Sequence, residues 1–231
     1  MEINAGLFAQ LRERIQLKDY SPDQLREHFN TFTSYKSGSP GQPHYGYEDL
    51  DGLISGVLLT QPTPEETLER VPGMVRYQPT PTSVILELID QVKFAEDDIF
   101  FDLGSGLGQV VALVNILTGV CSVGIEYQPA YCIYAVQMAS DLRLRNTTFL
   151  NADAQEVDFV SGTVFFMFNP FGGRIFDVVM DRLRAEAVNR NITICSYGSC
   201  TAPIAELPWL EIRDPETVHD FKLAVFDSKN L

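Results

Sequence analysis

The sequence predicts an α/β fold with a mostly parallel sheet, and three features of its pattern support this. Short apolar runs alternate with amphipathic segments from about residue 80 onwards. Such runs are typical of parallel strands whose two faces are covered by helices. The last two runs follow one another without a helix between them, which predicts an antiparallel finish. With 231 residues, 45% of them apolar, the chain can bury a sizeable core.

Residues 1–75 predict a small helical cap or lid that precedes the sheet. An amphipathic helix is predicted over residues 2–18, because apolar side chains recur there at steps of four. A second helix is predicted to begin after Ser21 and a third to span residues 63–70, since a capping box opens each. The Gly-, Pro- and Ser-rich residues 33–52 predict a loop.

Residues 76–231 carry the alternation of strands and helices. Seven strands are predicted, at about residues 99–101, 122–126, 148–150, 163–168, 192–195, 208–213 and 220–226. Helices are predicted at about residues 84–92, 109–117, 129–142 and 174–187. We therefore expect a boundary near residue 75, with the cap on one side and the α/β domain on the other.

The charge balance narrows the choice of partner. The formal net charge is −14, and the 17 Lys and Arg residues form no basic cluster. Nucleic-acid binding uses clustered Lys and Arg to neutralise phosphates, so autonomous binding of nucleic acid is not expected. An acidic surface favours a cationic protein partner, although solubility alone also accounts for it.

Cysteine and histidine spacing predicts no metal site. The four cysteines form no Cys-x-x-Cys pair and the three histidines are scattered, so the ligand spacing of a zinc site is missing. No stretch approaches the ~20 apolar residues of a membrane span, and residues 1–16 lack the pattern of a signal peptide. We expect a cytoplasmic protein with reduced thiols and no membrane contact.

The most informative segment reads Asp-Leu-Gly-Ser-Gly-Leu-Gly-Gln, from Asp102 to Gln109, between a predicted strand and a predicted helix. Open α/β sheets bind ligands at this edge, where glycines let the backbone approach the ligand closely. A dinucleotide fingerprint needs Gly-x-Gly-x-x-Gly, but Gln109 stands at the third glycine position and Gly108 comes early. The Asp102 carboxylate repels phosphate and can receive an ammonium group. NAD is therefore disfavoured.

Two further acidic residues follow the next two predicted strands. Glu126 lies 24 positions after Asp102, near the spacing at which a carboxylate binds ribose hydroxyls. Asp153 can accept a hydrogen bond from an adenine amine, and Ala154 offers a backbone N–H. Alone, Glu126 also fits a solvated strand end and Asp153 a helix cap. Their order on successive strands predicts a ligand with an amino-acid head, a ribose and an adenine but no phosphate, which describes S-adenosylmethionine.

The same residues resemble a known family. The segment from Asp102 to Gln109 resembles the cofactor loop of class I S-adenosylmethionine-dependent methyltransferases. Residues 77–114 closely resemble the core of the Dot-type (disruptor of telomeric silencing) lysine methyltransferases, and the resemblance continues more loosely to about residue 185. Shared features are a Tyr and a Thr ahead of a helix, an acidic turn, and Asp-Leu-Gly-Ser-Gly-x-Gly-Gln-Val-Val. The resemblance implies a Rossmann-like class I methyltransferase fold with S-adenosylmethionine as the cofactor.

The resemblance also implies roles for individual residues. The loop that contains Tyr77 and Thr80 closes over the methionine part of the cofactor, and Glu126 holds the ribose. Asp102 and the first glycines hold the amino-acid end, and Asp153 with Ala154 flanks the adenine. The residues implied in cofactor binding are Tyr77, Thr80, Asp102, Gly104, Ser105, Gly106, Gly108, Gln109, Glu126, Asp153 and Ala154.

Three departures separate the chain from the Dot-type pattern. The family's Gly-Glu after the Tyr is Gln78-Pro79 here, and Ala154 replaces an aromatic residue. The family's Asn-Asn-Phe near the methyl group reads Asn169-Pro170-Phe171. We therefore expect the cofactor to carry over from the family, but not the histone substrate.

The segment Asn169-Pro170-Phe171 also resembles the Asn-Pro-Pro-Tyr loop of adenine and glutamine-amide N-methyltransferases. By this resemblance the Asn169 oxygen accepts a hydrogen bond from the attacking nitrogen, and the Phe171 ring walls the acceptor pocket. The alternative is a plain turn after the fourth strand.

Three functions remain open at this point. The first is a Dot-like N-methyltransferase that acts on a protein lysine. The second is an N-methyltransferase of an amide, a base or a small molecule, and the third is a non-catalytic relative that binds the cofactor.

Overall fold

The computed structural model describes residues 5–31 and 49–229. The strands in them are β1 Ile99–Leu103, β2 Cys121–Glu126, β3 Thr147–Asn151, β4 Val164–Phe168, β5 Thr193–Tyr197, β6 Leu210–Ile212 and β7 Ala224–Ser228. The helices are α1 Ala5–Leu17, α2 Pro22–Asn30, α3 Asp49–Leu58, α4 Thr82–Val92, α5 Gln109–Thr118, α6 Pro129–Asp141, α7 Gly173–Ala187 and α8 Thr201–Ala205.

The seven strands of the described residues form one sheet in the order β3-β2-β1-β4-β5-β7-β6. Strand β7 runs antiparallel to both of its neighbours, and all other pairs are parallel. This confirms the predicted α/β class, with a mostly parallel seven-stranded sheet and an antiparallel last strand. The strand order reverses between β1 and β4, and ligands of open α/β sheets bind beyond the carboxyl ends of the strands at such a point.

Helices cover both faces of the sheet. Successive side chains of a strand point to opposite sides, so each strand contributes to the core on both faces. In β4, Val164 and Phe166 belong to the apolar core that includes α4 and α5, whereas Phe165 and Met167 belong to the core that includes α7. Burial on both faces accounts for the continuous apolar runs in the sequence.

The N-terminal helices complete one of these cores. Helix α5 is apolar on every side, and its residues from Gln109 to Leu117 are all buried. Such a helix needs cover on its outer side as well as from the sheet, and α2 and α4 both contact it. The capping box predicted at Ser21 is present: the Ser21 hydroxyl oxygen accepts a hydrogen bond from Gln24 N at 3.1 Å.

Helices α1 and α2 approach the domain far from the predicted cofactor loop. Tyr20 donates to Ile116 O (3.3 Å) and Gln16 donates to Asp141 O (2.7 Å), near the C-terminal ends of α5 and α6. The cofactor loop lies at the opposite end of α5. A lid function of residues 1–75 stays a prediction, and we assign it below to the segment that reaches the cleft.

The helix predicted over residues 63–70 is wrong, because this segment has no regular structure. The backbone N–H groups of Thr67 and Leu68 donate to the side-chain oxygen of Gln128 at 3.1 and 3.0 Å. A tertiary contact thus supplies the partners that a helix would have provided, which the local capping pattern does not reveal.

Other differences concern the ends of elements. Residues 49–52 of the predicted loop belong to α3, while residues 33–48 of that loop and residues 2–4 of the first predicted helix lie outside the described residues. The last strand begins at Ala224 rather than near residue 220.

We predict that the N-terminal helices and the sheet unfold together. The ring of Phe29 in α2 is 1% exposed within the core shared with β1 and α5. Phe29→Ala should lower the free energy of unfolding by about 3–5 kcal/mol, because it removes a buried ring and leaves a cavity. Chemical denaturation monitored by circular dichroism measures the loss. Leu17→Ala, at a side chain that is 61% exposed, is the control and should change stability by less than about 0.5 kcal/mol. Two separate transitions in wild type would contradict the prediction.

Candidate functional site

The predicted cofactor residues surround two adjoining cavities beyond the carboxyl ends of β1, β2 and β4. The larger encloses about 720 Å³, part of it open to solvent, and the smaller about 320 Å³. Residues common to both are Tyr77, Gln78, Gly104 and Phe168. Predicted residues that line only the larger cavity are Glu126, Asp153, Ala154, Asn169 and Phe171, and those that line only the smaller are Thr80, Asp102, Ser105 and Gln109. The combined size suits a small organic ligand.

The glycines of the loop allow neighbouring side chains to pack closely against the backbone. Gly104 and Gly106 have left-handed φ angles of 84° and 53°. A Cβ at Gly104 would lie 2.5 Å from the Pro170 side chain, and one at Gly106 would lie 2.3 Å from the ring of Tyr77. Gly106 and Gly108 line neither cavity, and a Cβ at Gly108 would lie 2.7 Å from an aromatic ring of β3. Gly108 thus packs the start of α5 on the sheet.

Asp102, in β1, is a buried carboxyl group at the floor of the smaller cavity. It is 3% exposed, and no group of the described residues donates a hydrogen bond to it. Burial, followed by the charge of Glu126, raises the pKa of Asp102 to about 8. A carboxyl group perturbed in this way within a cleft marks a functional site, and a cationic partner would restore its ionised form.

Glu126, at the end of β2, joins two loops. One of its carboxylate oxygens accepts from Gly106 N at 2.7 Å, and the other accepts from Gln128 N at 2.8 Å. Burial raises the pKa of Glu126, and these backbone hydrogen bonds lower it. Because each oxygen keeps a free lone pair, the carboxylate can still accept from the hydroxyls of a ligand. Glu126 is therefore structural as well as a candidate binding group, which its position at a strand end did not predict.

Two orphaned polar atoms make the smaller cavity a fit for an amino-acid head group. The side-chain oxygen of Gln109 and the hydroxyl of Ser105 are buried without a hydrogen-bond partner in the described part of the chain. A buried polar atom that lacks a partner is unfavourable. Together with Asp102, these atoms offer acceptors for an ammonium group and a hydroxyl donor for a carboxylate.

Asp153 lies on the wall of the larger cavity, but its carboxylate is engaged. One oxygen accepts from Gln155 N at 2.9 Å and the other from the Gln155 side chain at 3.0 Å. These bonds match the alternative in which Asp153 caps a turn, although its carboxylate can still accept a hydrogen bond from another donor. Ala154, beside it, is 7% exposed.

Asn169 is also engaged by the protein. Its φ of 47° is left-handed, and its side-chain oxygen accepts from Cys200 N at 3.0 Å and from the Ser199 hydroxyl at 3.2 Å. The lone pairs that the predicted acceptor role requires are therefore occupied in this structure. The amide ties the loop after β4 to the loop after β5, so the geometry favours the turn alternative. Phe171 does line the cavity, with its side chain 8% exposed.

Residues 66–78, here called the strap, extend the predicted Tyr77 loop towards the N-terminus and border the cleft. Glu66, Arg70 and Met74 to Gln78 line the larger cavity, and Tyr77 and Gln78 also line the smaller one. The strap crosses the loop after β4: Met74 pairs with Phe171 in an antiparallel bridge, and Gly172 N donates to Gly73 O at 2.7 Å. Lining residues missed by the sequence analysis are Glu66, Arg70, Met74, Val75, Arg76, Gln78, Tyr127, Gln128 and Tyr131. These residues come together only in the folded chain, and no local spacing signals them.

Tyr77 connects the strap to α6. Its ring lies 5.4 Å from that of Tyr131, and burial raises the pKa of its phenol well above the usual value. The Tyr77 phenol is therefore uncharged and forms part of the wall of the cleft. Across residues 5–31 and 49–229, no group of three or more His, Cys, Asp and Glu side chains is arranged to hold a metal ion. The helices of the same ranges include none long and apolar enough to cross a membrane.

Comparison with known proteins concerns the fold and the family, not the individual site residues. Residues 74–170 match the family model described as Histone methylation protein DOT1. A structure described as a putative methyltransferase, yhhF, from Escherichia coli is 15% identical with a TM-score of 0.52, over 70% of this chain and 92% of that one.

Two further structures are similar. An RNA methyltransferase from Salinibacter ruber in complex with S-adenosyl-L-homocysteine is 22% identical with a TM-score of 0.48, over 65% of this chain and 92% of that one. Precorrin-6y C5,15-methyltransferase from Geobacter metallireducens is 18% identical with a TM-score of 0.47, over 69% of this chain and 94% of that one.

The chain has the Rossmann-like class I methyltransferase fold, which it shares with the putative methyltransferase yhhF, and a partial match to the DOT1 family model. Binding of S-adenosylmethionine and methyl transfer by this chain are taken up below as proposals. The match to the DOT1 model spans less than half of the chain, so membership of the Dot type and the identity of the methyl acceptor are taken up as proposals.

We predict a pH-dependent stability effect at Asp102. Its folded-state pKa of about 8 lies above the ~3.9 of an unfolded aspartate. The protonated group therefore contributes stability that is fully present below about pH 4 and is lost as the pH rises to about 8. Asp102→Asn should raise the melting temperature relative to wild type, by a margin that grows from about pH 5 to about pH 8 and then levels. Scanning calorimetry across this range measures it. The exposed Asp97→Asn serves as the control, and a pH-independent margin at Asp102 would contradict the prediction.

We predict that Asn169 acts chiefly through structure. Asn169→Ala removes two hydrogen bonds and places alanine in a left-handed conformation, so unfolding should become easier by about 1–3 kcal/mol. Melting temperature, cofactor affinity and single-turnover rate are measured on the same variant. Wild-type stability and cofactor affinity, combined with a methyl-transfer rate at least about tenfold lower, would instead establish the acceptor-binding role.

Proposed function

We propose that this chain is a Dot-type N-methyltransferase that transfers a methyl group from S-adenosylmethionine to a lysine of a cationic cytoplasmic protein. The observation that carries the proposal is the family-model match over residues 74–170. That range begins in the strap, contains the glycine loop and the three cofactor carboxylates, and ends at the loop that faces the larger cavity.

Each part of the cofactor has a proposed partner in the cleft. Asp102 receives the ammonium group, with Gln109 and Ser105 beside it, and the strap closes over the methionine chain. Glu126 accepts from the ribose hydroxyls. Asp153 and Ala154 flank the adenine. Bound there, S-adenosylmethionine supplies an electrophilic methyl group on a positively charged sulfur.

The overall charge of the chain favours a cationic acceptor. Three carboxylates (Glu66, Glu126, Asp153) and two guanidinium groups (Arg70, Arg76) line the larger cavity, with Glu66 paired to Arg70 at 3.0 Å, and the whole chain carries a formal net charge of −14. Such a field attracts a protonated lysine. The amine must lose its proton before it attacks, since its reference pKa is about 10.4. The chain then has to align the nitrogen with the methyl group, and alignment supplies much of the rate in such displacements.

A second candidate is N-methylation of an amide, a base or a small molecule. The Asn169-Pro170-Phe171 loop favours it through its resemblance to the Asn-Pro-Pro-Tyr loop. The occupied Asn169 oxygen weakens that argument, because the free acceptor of such loops is missing here.

Transfer from labelled cofactor tests the function directly. The protein is incubated with methyl-labelled S-adenosylmethionine and a cell lysate that is then separated into protein, nucleic-acid and small-molecule fractions. We expect label in the protein fraction, at lysine after hydrolysis. Label in another fraction would establish the second candidate, and no label with retained binding of S-adenosylhomocysteine would mark a non-catalytic relative.

We predict that Glu126→Ala weakens binding of S-adenosylhomocysteine by about 1–3 kcal/mol, the usual loss for charge-assisted hydrogen bonds. Isothermal titration calorimetry measures it, with NAD as a ligand that should give no heat. Because Glu126 also holds two backbone N–H groups, Glu126→Gln, which keeps one acceptor oxygen, is the matched control for folding. Unchanged affinity in a folded Glu126→Ala variant would remove Glu126 from the site.

A further inference from the structure

Gln128 is a buried glutamine whose side chain bonds to the strap. It is 4% exposed, and its side-chain oxygen accepts from Thr67 N (3.1 Å) and Leu68 N (3.0 Å). Its side-chain nitrogen donates to Leu68 O at 2.7 Å. Both lone pairs of the amide oxygen are therefore used, and three hydrogen bonds converge on two consecutive strap residues.

The backbone of the same residue contacts the ribose-binding carboxylate. Gln128 N donates to one Glu126 oxygen at 2.8 Å, while Gly106 N donates to the other at 2.7 Å. One residue thus bonds to Glu126 through its main chain and to the strap through its side chain. It also lines the larger cavity.

The strap depends on such contacts because its backbone has few partners of its own. Residues 59–70 form neither helix nor strand, so their N–H and C=O groups need tertiary partners or water. In the described residues, the strap backbone is anchored to the rest of the fold by Gln128 near its start and by the loop after β4 near its end. The intervening residues, including Arg70, are exposed.

On the basis of the proposed function, we propose that Gln128 is a positioning residue that holds the strap closed beside Glu126 and thereby sets the residence time of the cofactor. A ligand that occupies the larger cavity lies beside strap residues Glu66, Arg70 and Met74 to Gln78 and next to Glu126. Release through the strap side then requires the Gln128 bonds to break. Loss of these bonds speeds dissociation more than association, because the closed strap matters after the ligand has entered.

The chemistry of the position calls for an amide. A glutamate would keep the acceptor for Thr67 N and Leu68 N, but it would lose the donor to Leu68 O. It would also add a negative charge beside Glu126, in a cavity that Glu66 already lines. Leucine keeps the approximate volume and removes all three bonds, so Gln128→Leu separates hydrogen bonding from packing.

Dissociation of S-adenosylhomocysteine measures the role. In stopped-flow experiments, Gln128→Ala and Gln128→Leu should each raise the dissociation rate about tenfold or more and change the association rate less than about threefold. Gln137→Ala is the matched control, since Gln137 is an exposed residue of α6, the helix that begins directly after Gln128, and donates to Asp141 at 2.7 Å. The control should behave as wild type. Unchanged dissociation in folded Gln128 variants would overturn the proposal.

Two further readouts separate positioning from a general loss of structure. Combined with Glu126→Ala, the Gln128→Leu effect on affinity should be clearly less than additive, because both act on one bonded unit. Without cofactor, trypsin should cut after Arg70 about tenfold faster in Gln128→Leu than in wild type or Gln137→Ala, at similar melting temperatures. Additive effects or unchanged cleavage would overturn the role of Gln128.

The dissociation experiment also distinguishes this proposal from the proposed function. If wild type bound no S-adenosylhomocysteine, the proposed function would fail, and the residence-time role would fail with it. If wild type bound S-adenosylhomocysteine while Gln128→Leu released it at the wild-type rate, only the role of Gln128 would fail.

Discussion

The paired hydrogen bonds to the Glu126 carboxylate hold the cleft together. One comes from the glycine loop after β1 and the other from the start of α6 after β2. Without them, two loops would each expose a backbone N–H inside a buried region, which is costly. Burial, together with the negative charge that makes these bonds strong, raises the pKa of neighbouring Asp102. The cleft therefore buries two carboxyl groups, those of Asp102 and Glu126. Hydrogen-bond donors on a bound ligand would offset the free-energy cost of this burial more fully than the protein's own donors do.

This constraint explains how the site depends on the whole fold. Asp102 and Glu126 belong to adjacent parallel strands, and β1 and β4 flank the point where strand order reverses. The strap reaches the cleft from the N-terminal side of the chain and crosses the loop after β4. Helix α2 instead contacts α5, while Gln16 of α1 and Tyr20 between the two helices bond to the far ends of α6 and α5. Among the N-terminal residues that the structure describes, the helices thus stabilise the core and the strap approaches the ligand site.

In the loop after β4, one residue fits a sequence motif for acceptor binding and also makes structural hydrogen bonds. Asn169 stands where an acceptor-binding asparagine is expected, and it lines the cavity. Its oxygen nevertheless bonds to Cys200 N and Ser199, and its backbone is left-handed, a conformation that asparagine tolerates better than most residues. Asp153 behaves similarly, since it lines the cleft while it caps a turn with Gln155. In both cases the residue type suits a local turn and a ligand contact equally well.

The sequence by itself determined the fold class, the order of the strands and helices after residue 80, and the positions of Asp102, the glycine loop and Glu126. These follow from local periodicity and from short-range spacing at strand ends, which survive in any fold of this class. Only the tertiary structure decided the conformation of residues 63–70, the occupied oxygen of Asn169 and the contacts of Gln128. Each depends on a partner 30 or more positions away, as with Leu68 and Gln128, separated by 60 residues. A capping box or an Asn-Pro pair indicates which local structure a segment can form. The folded chain determines which partner makes hydrogen bonds with that segment.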